Sequence, residues 1–196
     1  DLSRADLEIK CPEGGYVFDK KKKEPSVTVK IKGTAINPDW YKVSYANNIN
    51  AGETAEVMVT GTSKEFCLGT KSATFTIAKK PVKITASAED KTYDGKPDAK
   101  ATAKIDNNEE SQVFEGDEVE LGEITALFTD ITPGTDKDVT VTASLTGKDA
   151  GNYEVKPTTV KAAIHAYDPK EVKEAIEKAE AAKEGVQGID KQASSV

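Results

Sequence analysis

The residues that decide the fold alternate between apolar and polar side chains. The clearest stretch, residues 138–146, reads DVTVTASLT, in which every second residue is apolar (Val139, Val141, Ala143 and Leu145). A period of two places these side chains on one face of an extended strand and the polar ones on the other. Strands of antiparallel sheets bury one face in this way and leave the other in water. The stretch therefore predicts a strand of an all-β protein.

The same alternation recurs along most of the chain. Turn residues such as Asp94-Gly95 and Pro133-Gly134 separate the alternating runs. Many short strands at this spacing predict immunoglobulin-like, Greek-key β-sandwiches of about seven strands each. The runs cover residues 27–31, 41–45, 55–59, 73–77, 82–88, 99–105, 119–128, 153–155 and 160–164.

Two alternating runs that stop before a proline divide the chain. The first reaches Pro81 and the second Pro169, and proline lacks the amide that continued strand pairing needs. We therefore predict one β-sandwich at residues 1–80 and another at residues 81–167, in tandem and joined by a short, stiff linker. We call these ranges the first segment and the second segment.

The period changes after the second segment. The pair Asp168-Pro169 fits an N-cap and a first helical position, and apolar residues follow at steps of three or four. This pattern predicts an amphipathic helix at residues 168–188 that stops near Gly185, followed by a tail at residues 189–196. Because its apolar stripe is mostly alanine, the helix is interpreted as a linker or as the start of a further domain.

Composition and charge exclude several classes of protein. The chain has 196 residues, of which 37% are hydrophobic and 31% charged, with a formal net charge of −7. The second segment holds 17 acidic and 9 basic residues, which disfavours nucleic acid as a partner. No apolar run approaches the about 20 residues of a membrane helix. The lysine run at residues 20–23 is expected to be a solvated loop. The absence of a leader pattern at Asp1 predicts that any signal peptide has been removed.

Catalytic and metal-binding groups are few. The single histidine, His165, and the two cysteines cannot supply the ligand spacing of a zinc site, and no glycine-rich phosphate-binding motif is present. The acids between Asp106 and Glu118, which include Glu109 and Glu110, cluster in one stretch. That arrangement favours a solvated or weakly calcium-binding loop over a pair of catalytic carboxylates. We predict that the protein is not an enzyme and uses no cofactor.

Three motifs of the second segment resemble the YDG-type repeat of bacterial secreted and cell-surface proteins. They are an early turn (Tyr93, Asp94 and Gly95), GDEV at residues 116–119, and GKDAGNY at residues 147–153 (with Asp149, Gly151, Asn152 and Tyr153). The resemblance covers about residues 81–166. Residues 40–52 and 69–77 of the first segment are similar to an immunoglobulin-like repeat of clostridial-type surface proteins. Both resemblances imply an extracellular protein, secreted or attached to the cell surface.

The two tyrosine motifs are interpreted as fold determinants before binding residues. A tyrosine that follows DAGN and opens a strand is typical of a tyrosine corner, in which the phenol bonds to backbone upstream. Gly95 is free to take the positive φ that the early turn requires. In a secreted protein, the two cysteines of one small domain, Cys11 and Cys67, predict a disulfide worth about 4 kcal/mol.

Two functions follow as hypotheses. The tandem repeats and short linker predict a structural stalk or adhesion segment, monomeric within a longer multidomain chain, with host or matrix glycans and proteins as its partners. The alternative is a carbohydrate-binding module accessory to an extracellular enzyme, with Trp40 and Tyr16 as the ligand-binding aromatics. For that role Trp40 is expected on the strand face opposite Tyr41, Val43 and Tyr45. An isopeptide crosslink from Lys10 or Lys83 to Asn152 is a further alternative for the surface-protein interpretation.

Overall fold

A computed structural model of the chain describes residues 1–193, apart from residues 66, 107, 109 and 110. Within helix positions, the side chains of residue 171 and of residues 184–193 lie outside this description. The described chain is mostly β-structure with one helix at its C-terminal end, which confirms the all-β prediction. The acids Glu109 and Glu110 and the last residues of the predicted tail, 194–196, lie outside the described residues.

The strands of the first segment form two sheets. In chain order they are Ala5–Lys10 (β1), Tyr16–Val17 (β2), Ser26–Ile31 (β3), Thr34–Ala35 (β4), Tyr41–Ala46 (β5), Gly52–Gly61 (β6) and Thr70–Ala78 (β7). The sheet orders are β1-β3-β4 and β2-β7-β6-β5. Neighbours are antiparallel, except that β2 runs parallel to β7. The alternation in β6 places Ala55, Val57 and Val59 in the interior, as the sequence pattern predicts.

The strands of the second segment form two further sheets. They are Lys80–Ala88 (β8), Lys91–Thr92 (β9), Ala101–Ile105 (β10), Glu120–Phe128 (β11), Gly134–Thr146 (β12), Tyr153–Lys156 (β13) and Thr158–His165 (β14). The sheet orders are β10-β8-β13 and β11-β12-β14-β9, with β13 parallel to β8 and β14 parallel to β9. The stretch at residues 138–146 lies within β12, where Val139 and Val141 are fully buried.

The C-terminal helix is longer than predicted. It spans Pro169–Ala193 (α1), and the Asp168 carboxylate accepts a hydrogen bond from the Lys170 amide at 2.8 Å. The helix continues past Gly185, so the predicted stop there is wrong. A glycine inside a helix costs only about 1 kcal/mol, which the surrounding helix-forming residues can offset. No helix among the described residues is both long and apolar enough to cross a membrane.

The chain folds into two compact units. The first contains Asp1–Ala86, Ala103–Ile124 and Thr142–Thr158, and the second contains Ser87–Thr102, Thr125–Val141 and the residues from Thr159 onward. The first unit thus combines the whole first segment with three parts of the second, residues 81–86, 103–124 and 142–158. The division into independent domains at residue 80 stays a prediction.

Two clusters of buried side chains stabilise the first unit. One lies within the first segment (Leu2, Ala5, Val29, Val59 and Cys67). The other joins residues of the first segment to residues of the second (Phe18, Ala55, Phe75 and Ile77 with Val82 and Tyr153), and we call it the junction cluster. Strands β7 and β8 are separated by Lys79 alone. The two segments therefore share a core within this unit, in addition to a one-residue connection.

Cys11 and Cys67 are free thiols, so the structure does not form the predicted disulfide. Cys67 is buried with Leu2 and Ala5, at the start of β1, whereas Cys11 is exposed just after β1 ends. Six residues of extended strand span about 20 Å, and the Cα atoms of a disulfide lie within about 7 Å of each other. Strand β1 therefore keeps the two thiols apart.

Candidate functional site

The GDEV and GKDAGNY motifs lie against each other in the first unit. The Glu118 amide donates to Asp149 Oδ2 at 2.9 Å, and the Asp149 amide donates to the Glu118 carbonyl at 3.3 Å. Lys148 and Glu118 form an exposed ion pair at 2.6 Å. Gly147 has a φ of 109°, and a Cβ at that position would overlap the Glu118 backbone. Only glycine permits this close approach, so the two motifs form one docked element.

Tyr153 lies at the centre of this element. Its side chain is buried, and its hydroxyl accepts from the Phe114 amide at 3.1 Å and donates to Asp117 Oδ2 at 2.6 Å. Burial and the hydrogen bond to Asp117 raise the pKa of Tyr153 well above its usual value. The ring packs edge-to-face on Phe18, with centroids 5.4 Å apart. Tyr153 therefore connects the backbone upstream, a carboxylate and a ring of the first segment.

Asp117 is held by a lysine from the first segment. Lys20 Nζ lies 2.5 Å from Asp117 Oδ1 and donates to the Glu115 carbonyl at 3.1 Å. The Asp117 side chain is only 8% exposed. Burial opposes its ionisation, but the hydrogen bonds from Lys20 and Tyr153 outweigh that effect and hold the pKa of Asp117 below its usual value. Asp117 is thus a buried carboxylate, which departs from the solvated loop predicted for this acidic stretch.

In the lysine run at residues 20–23, the prediction of a solvated loop is wrong for Lys23 alone, because Lys20 is paired but remains exposed. Lys20 pairs with Asp117, and Lys23 is buried and pairs with Asp19. Lys21 and Lys22 are exposed, as predicted. The first and last lysines of the run are therefore paired, with Asp117 and Asp19 respectively, and three of its four lysines are exposed.

Asn152 makes a second polar link between the segments. Its Oδ1 accepts from the Ala51 amide at 2.8 Å, and its Nδ2 lies 3.5 Å from Asn50 Oδ1. Asn152 is buried, whereas Lys10 and Lys83 are both exposed. The crosslink alternative therefore pairs a buried amide with lysines that lie at the surface.

The early turn of the second segment is a local structure in the second unit. Asp94 Oδ1 accepts from the Lys96 amide at 2.9 Å and pairs with Lys91 at 2.7 Å, and Gly95 has a φ of 75°. The hydrogen bond from Lys91 lowers the pKa of Asp94. Tyr93 is 38% exposed, and its amide donates to the His165 carbonyl at 2.8 Å.

The turn, the GDEV motif and the GKDAGNY motif lie in order along one stretch of the chain. Residues 78–160 match the YDG domain family. This match confirms the predicted YDG-type repeat and includes all three motifs. No curated protein and no solved structure matches the chain.

Among the described residues, no group of three or more histidine, cysteine, aspartate or glutamate side chains is placed to hold a metal ion. His165, which follows the matched range, is exposed at the end of β14, with Nε2 3.6 Å from Asp90 Oδ2. Both side chains of that pair are open to water.

Outside the YDG domain, Trp40 does not lie where the sequence pattern places it. Asn37 caps a short 3-10 turn that contains Trp40, and β5 begins only at Tyr41. Trp40 is therefore not part of the strand alternation. It packs, with Tyr41 and Val43, against the buried cluster of the first segment, so the expectation of opposite faces is wrong.

Tyr16 is also packed against a core. It is half-buried on β2, its ring centroid lies 5.9 Å from that of Phe75, and Lys23 Nζ lies 5.8 Å from the ring. Burial raises the pKa of Tyr16. The two candidate ligand-binding aromatics therefore contact different cores, and the structure does not bring them together as a sugar-binding platform.

Proposed function

We propose that the chain is a non-catalytic structural segment of a bacterial secreted or surface protein, a stalk or adhesion segment made of tandem immunoglobulin-like repeats. The observation that carries the proposal is the junction cluster, in which the first segment and the YDG domain share buried side chains. A stalk has to hold its direction under load, and two repeats that share a core cannot swivel freely about their connection.

Three kinds of contact support a stiff junction. Phe18 packs edge-to-face on Phe114 and Tyr153, with centroid distances of 5.9 and 5.4 Å. The buried Asp117 carboxylate binds Lys20 of the first segment. Asn152 binds the Ala51 backbone of the first segment. Aromatic burial supplies the stabilisation, whereas the polar links fix one orientation because each loses a buried partner if the segments shift.

The carbohydrate-binding alternative, with Trp40 and Tyr16 as the ligand-binding aromatics, has less support than the stalk proposal. It depends on both rings as exposed stacking surfaces. Trp40 packs against the buried cluster of the first segment, and Tyr16 packs against the junction cluster. The proposal of a stalk needs neither ring to be free.

The proposal is tested by asking whether the two segments move as one body in solution. We expect ¹⁵N relaxation of the chain to give the same rotational correlation time for amides of β6 and β7 as for amides of β13. Phe18→Ala should cost about 3–5 kcal/mol of unfolding free energy, because it opens a cavity in the junction cluster. It should also separate the two correlation times.

The matched control is Val17→Ala, which truncates a side chain that is 43% exposed beside Phe18. This variant should keep the common correlation time. Independent tumbling of the segments in the unaltered chain would remove the basis of the stalk proposal, whatever the variants do.

A further inference from the structure

A shallow groove lies beside the junction, within the first unit. It encloses about 290 Å³ and is lined by the loop between β5 and β6 and by the start of β6 (Asn47, Asn48, Ile49, Asn50, Ala51 and Thr54). We call it the asparagine groove. Although 31% of the chain is charged, none of the lining residues carries a charge. Three side-chain amides and one hydroxyl are gathered there with one exposed apolar side chain.

The loop that forms the groove is anchored on both sides. Asn48 is buried, and its Nδ2 donates to the Lys23 carbonyl at 2.9 Å. On the other side, the Ala51 amide donates to Asn152 of the YDG domain at 2.8 Å. Two anchors fix the backbone of a loop that would otherwise be free to move. The groove is therefore preformed, which reduces the entropy that a ligand must offset on binding.

The groove presents unused hydrogen-bonding groups. A register shift between Gly52 and Ala55 places Thr54 in a β-bulge, an arrangement that re-aims side chains. The Thr54 hydroxyl and the side-chain amide of Asn47 make no hydrogen bond to any described residue. Asn47 has a φ of 51°, which lies in the left-handed region of backbone conformation that asparagine tolerates. The backbone thus sets the position of both residues, and their side chains have donors and acceptors available to a ligand.

We propose that the asparagine groove binds a neutral saccharide. Side-chain amides and a hydroxyl can donate to and accept from sugar hydroxyls, and the absence of charge in the lining matches an uncharged ligand. Ile49 is 38% exposed and offers an apolar surface for the C–H face of a sugar ring. An extended peptide fits less well, because strand addition needs a free strand edge, and the groove is lined by the loop between β5 and β6 rather than by the outer edge of β5.

The test is an NMR titration of the ¹⁵N-labelled chain with glucose, galactose, mannose, N-acetylglucosamine and neutral oligosaccharides of each. We expect at least one sugar to shift the backbone amides of residues 47–54 and the side-chain amides of Asn47 and Asn50. A dissociation constant of about 1 mM suits a shallow groove with few contacts.

Two variants remove hydrogen-bonding groups while keeping the backbone. Thr54→Val is isosteric, and Asn47→Gly keeps the positive φ; each should weaken binding about tenfold, the loss expected for one hydrogen bond. Thr60→Val, an exposed threonine on the same strand, is the matched control and should bind as the unaltered chain does.

The proposal is overturned if no sugar of the panel shifts residues 47–54, or if Thr54→Val binds like Thr60→Val. Shifts confined to residues outside the groove would overturn it as well. None of these results bears on whether the two segments tumble together, so a failure here is distinguishable from a failure of the stalk proposal.

Discussion

The early Y-D-G turn and the later GKDAGNY motif use the same residue types for different purposes. In the turn, Asp94 binds an amide two residues away and Tyr93 remains 38% exposed. In the later motif, Tyr153 is 2% exposed and reaches Asp117, Phe114 and a ring of the first segment. The turn closes on itself, whereas the later motif organises a core. The comparison teaches that partners distant in sequence decide what a glycine-rich tyrosine motif stabilises.

The strongest test of the distinction between the two motifs is to remove the tyrosine hydroxyl from each. We expect Tyr153→Phe to lower the free energy of unfolding by about 1–3 kcal/mol, because the half-buried Phe114 amide and the buried Asp117 carboxylate each lose a partner. Tyr93→Phe should change it by no more than about 0.5 kcal/mol, as for most surface substitutions. Urea unfolding followed by the fluorescence of Trp40, the single tryptophan, measures both. Equal effects would contradict the distinction between the two motifs.

The pH dependence of stability gives a second test of the comparison, through Asp117, which binds Tyr153 of the later motif, and Asp94 in the turn. The pKa of Asp117 is lowered in the folded chain, so its pairing stabilises the fold above the unfolded-state value of about 4. That stabilisation is lost as the pH falls through the folded-state pKa, because the unfolded chain then binds the proton more readily. Asp117→Asn should therefore reduce the stability difference between pH 7 and about pH 3.

Asp94→Asn is the control for this titration. The pKa of Asp94 is also lowered, but its side chain is 47% exposed and water screens its pairing with Lys91. We expect it to reduce the acid sensitivity less than Asp117→Asn does. The interpretation of Asp117 as the more important carboxylate fails if the order is reversed.

The strands could be predicted because their information is local. The alternation in residues 138–146 is sufficient to place Val139 and Val141 in the interior of β12. The position of each apolar residue within such a run determines which face of the strand its side chain occupies, independently of residues elsewhere in the chain. The match of residues 78–160 to the YDG domain likewise depends on residues that the sequence displays in order.

The candidate site could be predicted only in part, because its contacts are long-range. Lys20 and Asp117 are 97 residues apart, and each stands in a run of like charges that resembles a solvated loop. Trp40 departs from the strand pattern because a 3-10 turn precedes β5, and its Asn37-Pro38 start was the signal for that turn. The disulfide prediction is wrong for a similar reason. Composition does not reveal that Cys67 packs near the start of β1, whereas Cys11 follows its end.

The smallest expected effect is that of Asp94→Ala, and it separates local from global stabilisation. The substitution removes the acceptor of the Lys96 amide and the partner of Lys91, both within a few residues of the turn. Hydrogen exchange at the Lys96 amide should accelerate, while the urea midpoint should move less than it does in Tyr153→Phe. Exchange at the Phe114 amide, which binds Tyr153, should stay unchanged. A simultaneous acceleration at Phe114 would mean that the turn supports the core of the first unit, and the contrast between the two motifs would then be one of degree.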